Sequence, residues 1–387
     1  MQFGDSAFGS HRIARRGRRA ALWQIKASGA ADGDDGRGGL GGPETGLVWA
    51  RAAGRVPRRA RLRHRAARKS AREVVVDQAQ PQTGRSRRGP GRRPKEAVPA
   101  PETRIALSHP DKLLWPDAGL TKRGLLAYYQ SVWPLMRPHV VDRPLSLLRA
   151  PGGVGKPTFF QKHASAGMDR AIATLRDPKD GEELLSIADF DGLAALVQLG
   201  VVEIHVWGST IAKLEKPDQV IFDLDPDPGV PLDRVRAAAV ALRDRLADLG
   251  LASFAKTSGG KGFHVVVPLE PQAEWSVIKT FAHDFARGLE LAEPKAYTAA
   301  AAKSVRKGKI FIDYLRNGRG ATAIAPYSTR ARPGAPIAMP VSWQAVEEGI
   351  GPADCRVGSP TLRAILKTDP WRDFRAEART LQPGGTG

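Results

Sequence analysis

An apolar β-strand that carries two carboxylates on one face is the feature that most constrains this chain. In the run QVIFDLDP, residues 219–226, only Leu224 separates Asp223 from Asp225. Because side chains alternate along a strand, both carboxylates lie on the face opposite to Phe222 and Leu224. Two like charges on a mostly apolar strand are costly unless a cation lies between them. The pattern therefore favours a divalent metal site; a loop cap or an arginine partner is the alternative.

A second apolar run repeats this pattern. KIFIDYLRN, residues 309–317, places Asp313 between Ile312 and Tyr314. Three carboxylates on two apolar strands are the layout needed to hold two Mg²⁺ or Mn²⁺ ions. Such a pair of ions activates an attacking hydroxyl and stabilises a leaving pyrophosphate oxygen. A calcium-binding EF-hand is excluded, because DLDPDPG contains prolines and no glutamate stands at the twelfth position of the loop.

A glycine-rich turn follows in KTSGGKGFHVVV, residues 256–267. Ser258 and Lys261 lie in the turn, and His264 enters the next strand. Glycines let backbone amides approach a phosphate closely, and the lysine adds positive charge. The run is not a Walker A motif, since its spacing differs and a strand follows it. It indicates either a phosphate-binding turn or a plain hairpin turn.

One histidine and a group of arginines each admit two interpretations. His205, in the apolar strand EIHVWG, is either a core residue or part of the site. The arginines that follow the third aspartate either carry solvated charges or clamp a triphosphate through their fork geometry. They are Arg316, Arg319, Arg330 and Arg332.

The basic charge of the chain is concentrated near its N-terminus. Residues 1–100 hold 23 of the 60 Lys and Arg residues but 8 of the 40 Asp and Glu residues. The net charge of +20 favours a polyanionic partner. Because residues 1–100 show no sustained helical or strand period, we expect a disordered basic tail or linker there. A nucleic-acid-binding arm and a remnant of an upstream module are the alternatives.

Cysteine usage and hydropathy bear on the setting of the protein. The single cysteine, Cys355, excludes an intrachain disulfide and a cysteine-rich zinc site, which is typical of a reducing cytoplasm. No apolar run reaches the ~18 residues of a membrane span. The N-terminus lacks the apolar stretch of a signal peptide. We therefore expect a cytoplasmic protein with no membrane partner.

Helical and strand patterns alternate from about Thr103 onward. Helices are predicted after Thr121, at 190–200, at 232–249 and at 274–291, with strands between them. The alternation predicts an α/β (α+β) fold with a central mixed, largely antiparallel sheet flanked by helices. We expect a catalytic domain over residues 101–350 and a C-terminal extension over 351–387.

Taken together, these runs resemble the polymerase domain of bacterial DNA ligase D, in the archaeo-eukaryotic primase superfamily. The resemblance covers about residues 109–343 and implies the primase-polymerase fold. It rests on seven runs in order, which are HPDKLLWP with GLTK, TFFQKH, VVEIHVWGS, VIFDLDP, SGGKGFHV, IFIDYLRN and APYSTRARPGAP.

The resemblance implies a role for each candidate residue. Two Mn²⁺ or Mg²⁺ ions would bind Asp223, Asp225 and Asp313. An incoming NTP or dNTP would contact His205, Ser258, Lys261, His264, Arg316, Arg330 and Arg332. DNA would contact Phe159 and Phe160 by stacking, and Lys112 and Lys122 through the 5′-phosphate beyond a gap. His109 stands where the family often has Asn.

The implied activity is nucleotidyl transfer of ribo- or deoxyribonucleotides to a DNA 3′-OH, at gaps and ends, during nonhomologous end joining. The implied partners are DNA ends, gapped duplex with a 5′-phosphate, the Ku protein and a ligase module in cis or trans. The setting would be the bacterial nucleoid. Ligase chemistry is not expected in this chain, because it has no lysine-centred K-x-D-G motif. Residues 1–100 would then be a possible remnant of an upstream ligase module.

Two other functions compete with this interpretation. A dedicated primase would start strands de novo, but its usual zinc module needs more than one cysteine. A non-catalytic DNA-end-binding module would leave three carboxylates on apolar strands without a cation, which would only destabilise the fold.

Overall fold

The computed structural model describes residues 23–26 and 101–383. Apart from residues 23–26, the predicted tail at 1–100 lies outside the described residues. The helices are α1 (Lys122–Val140), α2 (Phe190–Gln198), α3 (Leu232–Asp248), α4 (Trp275–Ala292), α5 (Trp343–Glu347) and α6 (Pro360–Thr368). The strands are β1 (Trp23–Lys26), β2 (Leu113–Trp115), β3 (Leu120–Thr121), β4 (Leu145–Arg149), β5 (Phe159–Gln161), β6 (Ile172–Arg176), β7 (Glu183–Ile187), β8 (Val201–Trp207), β9 (Gln219–Pro226), β10 (Phe254–Thr257), β11 (Phe263–Pro268), β12 (Tyr297–Thr298), β13 (Ile310–Asp313), β14 (Thr322–Ile324), β15 (Pro340–Val341) and β16 (Thr380–Pro383).

Two six-stranded sheets form the frame of the described chain. Sheet I has the order β12-β13-β9-β11-β10-β15, in which β12 and β13 are parallel and the other pairs are antiparallel. Sheet II has the order β14-β8-β4-β7-β6, with β5 also paired to β4, and is antiparallel throughout. The predicted mixed, largely antiparallel α/β fold is confirmed, and the structure adds the second sheet.

The helix boundaries follow capping rules. The Thr121 side chain accepts a hydrogen bond from the Gly124 amide at the start of α1, as the sequence predicts. Asp189 caps α2 in the same way, by accepting from the Gly192 amide. After α2 the chain reverses at Gly200, whose φ of 75° favours glycine. The reversal leads directly into β8, which carries His205.

The core fixes which face of β9 is exposed. Phe222 and Leu224 are almost completely buried, and they belong to one cluster with residues of both sheets. Phe222 packs against Phe285 of α4, with ring centroids 4.9 Å apart. Because the apolar face of β9 is covered by α4, its carboxylate face is directed to the opposite side of sheet I.

The segment after residue 350 packs on the same core. Cys355 and Leu362 belong to the main cluster, and Trp371 stacks on Phe374 in a smaller one. The predicted domain boundaries at 100/101 and 350/351 stay predictions. Among the described residues, no helix combines the length and the apolar character that a membrane crossing requires.

We expect His139 to make the folded state sensitive to mild acid. Its ring is buried edge-on against Trp371 and Phe374. Burial, together with the charges of Arg375 and Arg143, lowers the pKa of His139 to about 3. At a pH below about 6.5, the pKa of histidine in the unfolded chain, the unfolded chain binds a proton at this residue and the folded chain does not. The free energy of unfolding therefore decreases as the pH is lowered.

The expected loss from this one group is about 2 kcal/mol between pH 7 and pH 5. Urea unfolding at pH 7, 6 and 5 measures it, and His139→Phe should make the pH profile shallower by that amount. His163→Gln, at a half-exposed ring, is the matched control. Parallel profiles for the wild type and His139→Phe would contradict the assignment.

Candidate active site

The strand register brings the predicted carboxylates together. In sheet I, Asp223 of β9 stands opposite Asp313 of β13 on one side and opposite His264 of β11 on the other. Asp225 lies two residues along β9, on the same face. Side-chain exposure is 19% for Asp223, 11% for Asp313 and 56% for Asp225. The three acids therefore lie on two neighbouring strands of sheet I, with Asp223 and Asp313 mostly buried and Asp225 exposed.

Two arginines neutralise these acids in the structure. Nη2 of Arg316 lies 3.3 Å from Asp313 Oδ2 and 3.7 Å from Asp223 Oδ2. Nη1 of Arg306 donates to Asp225 Oδ2 at 2.9 Å. Burial raises the pKa of Asp223 to about 6; the charge of Arg316 opposes this shift, and those of Asp313 and Asp225 add to it. A cation beside Asp223 is therefore strongly favoured.

The three carboxylates supply suitable metal ligands but are not arranged as a preformed site. Among the described residues, no group of three or more His, Cys, Asp or Glu side chains is gathered into a preformed metal cluster. The donor set itself fits a hard dication, because all three carboxylates supply oxygen ligands. Metal binding would require the carboxylates to exchange their arginine partners for the ion.

A cavity of about 260 Å³ opens beside these carboxylates. Nine of the predicted site residues line it, and they come from both sheets and from the turns between strands. They are His205, Asp223, Asp225, Ser258, Lys261, His264, Arg316, Arg330 and Arg332. Asp313 is not among the lining residues, but it is joined to them through Asp223 and Arg316.

The glycine turn between β10 and β11 forms one wall of this cavity. Ser258 Oγ accepts from the amides of Gly260 at 3.2 Å and Gly262 at 3.3 Å, which closes the turn. A Cβ atom at Gly262 would stand 2.0 Å from the carbonyl oxygen of Leu224, so only glycine fits there. The turn therefore rests on the β9 backbone between the two aspartates, with Lys261 exposed at its tip.

A second basic cluster forms around the β2–β3 hairpin. The Lys122 amide donates to the Lys112 carbonyl at 2.8 Å, and the Lys112 amide donates to the His109 carbonyl at 3.1 Å. Lys122 is buried, and its Nζ donates to the Ser108 carbonyl and to Gln198 Oε1. Burial, with a contribution from the charge of Lys112, lowers the pKa of Lys122. The three predicted residues are thus neighbours, with His109 and Lys112 exposed.

The two predicted stacking residues are exposed on β5. Phe159 and Phe160 are 46% and 58% exposed, which is unusual for phenylalanine and leaves their rings available. The Phe160 ring lies edge-on to His205, with centroids 5.6 Å apart, at the border of the cavity. The Arg149 guanidinium lies over the Phe159 ring at 5.2 Å.

One arginine lies outside the predicted cluster. Arg319 pairs with Asp177 at 2.7 Å and with Glu215 at 2.6 Å, and it does not line the cavity. Its charge is neutralised by these acids, so its predicted part in a triphosphate clamp is not supported. The sequence could not distinguish the two arginines, because the tertiary fold of the turn after β13 directs Arg316 and Arg319 to different partners.

Comparison with known proteins decides the family. The family model for the primase-polymerase domain of LigD matches residues 121–371. The chain belongs to the LigD primase-polymerase domain family. This confirms the resemblance that the sequence runs indicate.

Relatives of this primase-polymerase domain include larger proteins. The multifunctional non-homologous end joining protein LigD of Pseudomonas aeruginosa is 38% identical over 274 residues, which cover 70% of this chain and 33% of that protein. The protein of the same name from Mycobacterium bovis is 35% identical over 261 residues, covering 64% and 34%. The chain therefore spans about a third of the length of the curated relatives it matches.

A solved structure also matches. It is the polymerase domain from Mycobacterium tuberculosis ligase D in complex with DNA, with a TM-score of 0.64 and 32% sequence identity. The match covers 72% of this chain and all of that one.

Three charged residues of this candidate site were not predicted from the sequence. Glu203 is buried two positions before His205 and contacts it. Lys256 is buried two positions before Ser258, and burial lowers its pKa to about 7, against the charge of Asp223. Arg306 pairs with Asp225. Glu203 and Lys256 could have been recognised in the sequence, since each is a charged residue in an apolar strand. Arg306 could not, because its position depends on how the loop that carries it folds.

Proposed function

We propose that this chain is a metal-dependent nucleotidyltransferase that adds ribo- or deoxyribonucleotides to a DNA 3′-OH at gaps and ends during nonhomologous end joining. The observation that carries the proposal is the register of Asp223 opposite Asp313, beside a cavity walled by the Ser258–Lys261 turn. Family membership supports it, as do relatives named for non-homologous end joining and a matching domain solved with DNA.

The metal ligands in this proposal are the three carboxylates. Asp223, Asp225 and Asp313 would hold two Mn²⁺ or Mg²⁺ ions. The ions would lower the pKa of the attacking hydroxyl and offset charge on the leaving pyrophosphate. Arg316 and Arg306 now cover the same oxygen atoms. Once released, each would offer its guanidinium to phosphate oxygens nearby.

The nucleotide would lie along the rest of the cavity wall. Amides of the glycine turn and the exposed Lys261 provide donors and positive charge for phosphate oxygens. Arg330 and Arg332 line the same wall, and the Nη1 group of Arg330 donates to the Ser258 carbonyl at 3.0 Å. His264 is buried against Asp223, and burial lowers its pKa well below the usual value, so its ring is neutral there.

DNA would contact two regions outside the cavity. The exposed rings of Phe159 and Phe160 offer a stacking surface next to His205. His109, Lys112 and Lys122 would bind the 5′-phosphate on the far side of a gap. A domain without separate fingers and thumb would gain alignment of the DNA from such a second grip.

The proposal is tested by incorporation of labelled ATP and dATP into a 5′-phosphorylated gapped duplex, with Mg²⁺ and Mn²⁺ compared. We expect template-directed addition of one or more nucleotides that stops when the dication is chelated. Synthesis from a 3′-OH, and none on bare template, distinguishes this function from a dedicated primase. No addition with either metal would contradict the proposal.

Partners beyond DNA belong to the same proposal. We infer that a Ku end-binding protein delivers the break and that a ligase module, in cis or in trans, seals it in the bacterial cytoplasm. The relatives' name denotes a multifunctional end-joining protein, which supports a place for this chain in that repair process. Ligase chemistry would come from that module and not from the primase-polymerase domain.

Substitution of Lys112 tests the grip on the 5′-phosphate. Lys112 is exposed, so Lys112→Ala should leave the fold intact, whereas Lys122 is buried and hydrogen-bonded. We expect about tenfold weaker binding to gapped duplex that carries the 5′-phosphate, since a charge-assisted contact is worth ~1.5–3 kcal/mol. Fluorescence anisotropy measures it. The unphosphorylated duplex is the control, and an equal loss on both would refute the pocket.

A further inference from the structure

A buried carboxylate, Glu203, lies behind the cavity wall and contacts three groups at once. Its side chain is 6% exposed, within the otherwise apolar start of β8. Oε2 lies 2.8 Å from Nε2 of His205. Oε1 accepts from the Ala331 amide at 2.8 Å and forms an ion pair with Arg330 Nε at 3.1 Å. Both oxygen atoms of this carboxylate are therefore engaged.

The contacts join separate parts of the molecule. His205 belongs to β8, two residues from Glu203, so both side chains leave the same face of that strand. Residues 330–331 follow β14 and the turn after it. Arg330 in turn donates to the Ser258 carbonyl in the glycine turn. Glu203 thus connects sheet II to the turn that walls the cavity in sheet I.

The charge state of Glu203 follows from its partners. Burial alone would raise its pKa, but the His205 hydrogen bond and the charge of Arg330 lower it overall. The group is therefore a carboxylate, which only accepts hydrogen bonds. Nε2 of His205, which faces this acceptor, therefore carries a proton. Burial lowers the pKa of His205, so the ring is neutral and Nδ1 is unprotonated.

We propose that Glu203 is a positioning residue: it orients Arg330 toward the triphosphate of the bound nucleotide and fixes the Nε2–H tautomer of His205. This proposal rests on the proposed nucleotide-binding function of the cavity. With its Nε end held by a buried anion, the guanidinium has fewer accessible orientations, so less entropy is lost when phosphate binds. With Nε2–H committed to Glu203, Nδ1 of His205 is an acceptor suited to a hydroxyl donor of the nucleotide.

The test uses the isosteric substitution Glu203→Gln in the full chain. We expect the Kd for ATP in the presence of Mn²⁺, measured by equilibrium dialysis, to rise about tenfold, because a charge-assisted contact is lost. The Kd for gapped DNA should stay within twofold of the wild-type value. An unchanged ATP Kd would overturn the proposal.

Asp191→Asn is the matched control. Asp191 also accepts from a backbone amide, that of Arg104, and pairs with the Arg104 side chain, but it lies outside the cavity. An equal rise in the ATP Kd for this variant would indicate a general effect of losing a carboxylate, and would overturn the positioning role. If Glu203→Gln does not fold at the assay temperature, Glu203→Asp carries the test, and a Kd within twofold of wild type overturns the proposal.

A second measurement needs no substitution. The ¹⁵N shifts of the His205 ring, recorded by NMR on the wild-type protein at pH 7.5, should report the Nε2–H tautomer. An Nδ1–H tautomer or a charged ring would overturn the assignment. A wild-type protein that binds ATP yet adds none to DNA would contradict the proposed function alone, whereas one that binds no ATP would overturn both.

Discussion

Asp225→Ala is expected to abolish nucleotide addition while leaving the fold and DNA binding intact. Asp225 is 56% exposed, so its removal takes little from the packed structure. It is one of three oxygen donors for the proposed ions, and without it charge on the reacting phosphate would be poorly offset. We expect the incorporation rate to fall at least about a thousandfold, or ~4 kcal/mol of barrier.

Single-turnover incorporation of labelled ATP into a gapped duplex measures this loss. Asp227→Ala is the matched control, because Asp227 is another partly exposed acid just beyond β9, bonded to the Gly308 amide and outside the cavity lining. Its rate should stay within about threefold of the wild-type rate. Retained incorporation by Asp225→Ala would contradict the proposed metal-binding role of Asp223, Asp225 and Asp313.

Asp218→Ala should cause the largest loss of stability that we predict. Asp218 is buried, and its Oδ1 accepts from Arg143 Nη1 at 2.9 Å, while Arg375 Nη1 reaches its Oδ2 at 2.8 Å. Arg143 is itself 1% exposed. Removal of the acid leaves a buried guanidinium without its counter-charge, which costs ~3–5 kcal/mol.

Urea unfolding at pH 7 gives the change in free energy of unfolding. The matched control is Asp169→Ala, which removes an exposed pair with Arg104 and a hydrogen bond from the Ala171 amide and should cost ~1–2 kcal/mol. Similar values for the two variants would show that water or a structural rearrangement compensates Arg143. Because Arg375 also contacts Asp218, the predicted loss depends on the segment after residue 370 packing against the rest of the domain.

Local patterns in the sequence predicted much of this fold. The alternation in β9 fixed which residues face α4, and Thr121 marked the start of α1 where the structure has it. Both features depend on neighbours close in sequence, for which periodicity and capping are direct physical signals. The turn between β10 and β11 was likewise marked by its glycines.

The division into two sheets and the pairing of charges could not be predicted in the same way. Strands β9 and β13 pair although two long helices and three strands lie between them in the chain, and the alternation in each strand says nothing about its neighbour. Arg306 and Arg319 are both arginines in loops, yet Arg306 pairs with Asp225 and Arg319 pairs with Asp177.

The burial of Lys122 could not be predicted from the sequence either, because it depends on a contact with Gln198 of a distant helix.

The close contact between the glycine turn and the β9 backbone limits how the cavity wall can be altered. Since Gly262 lies against the Leu224 carbonyl, contact between main-chain atoms sets how closely the turn approaches the strand that carries Asp223 and Asp225. A side chain at position 262 would therefore force the turn away from β9 and separate its amides from the carboxylates of Asp223 and Asp225.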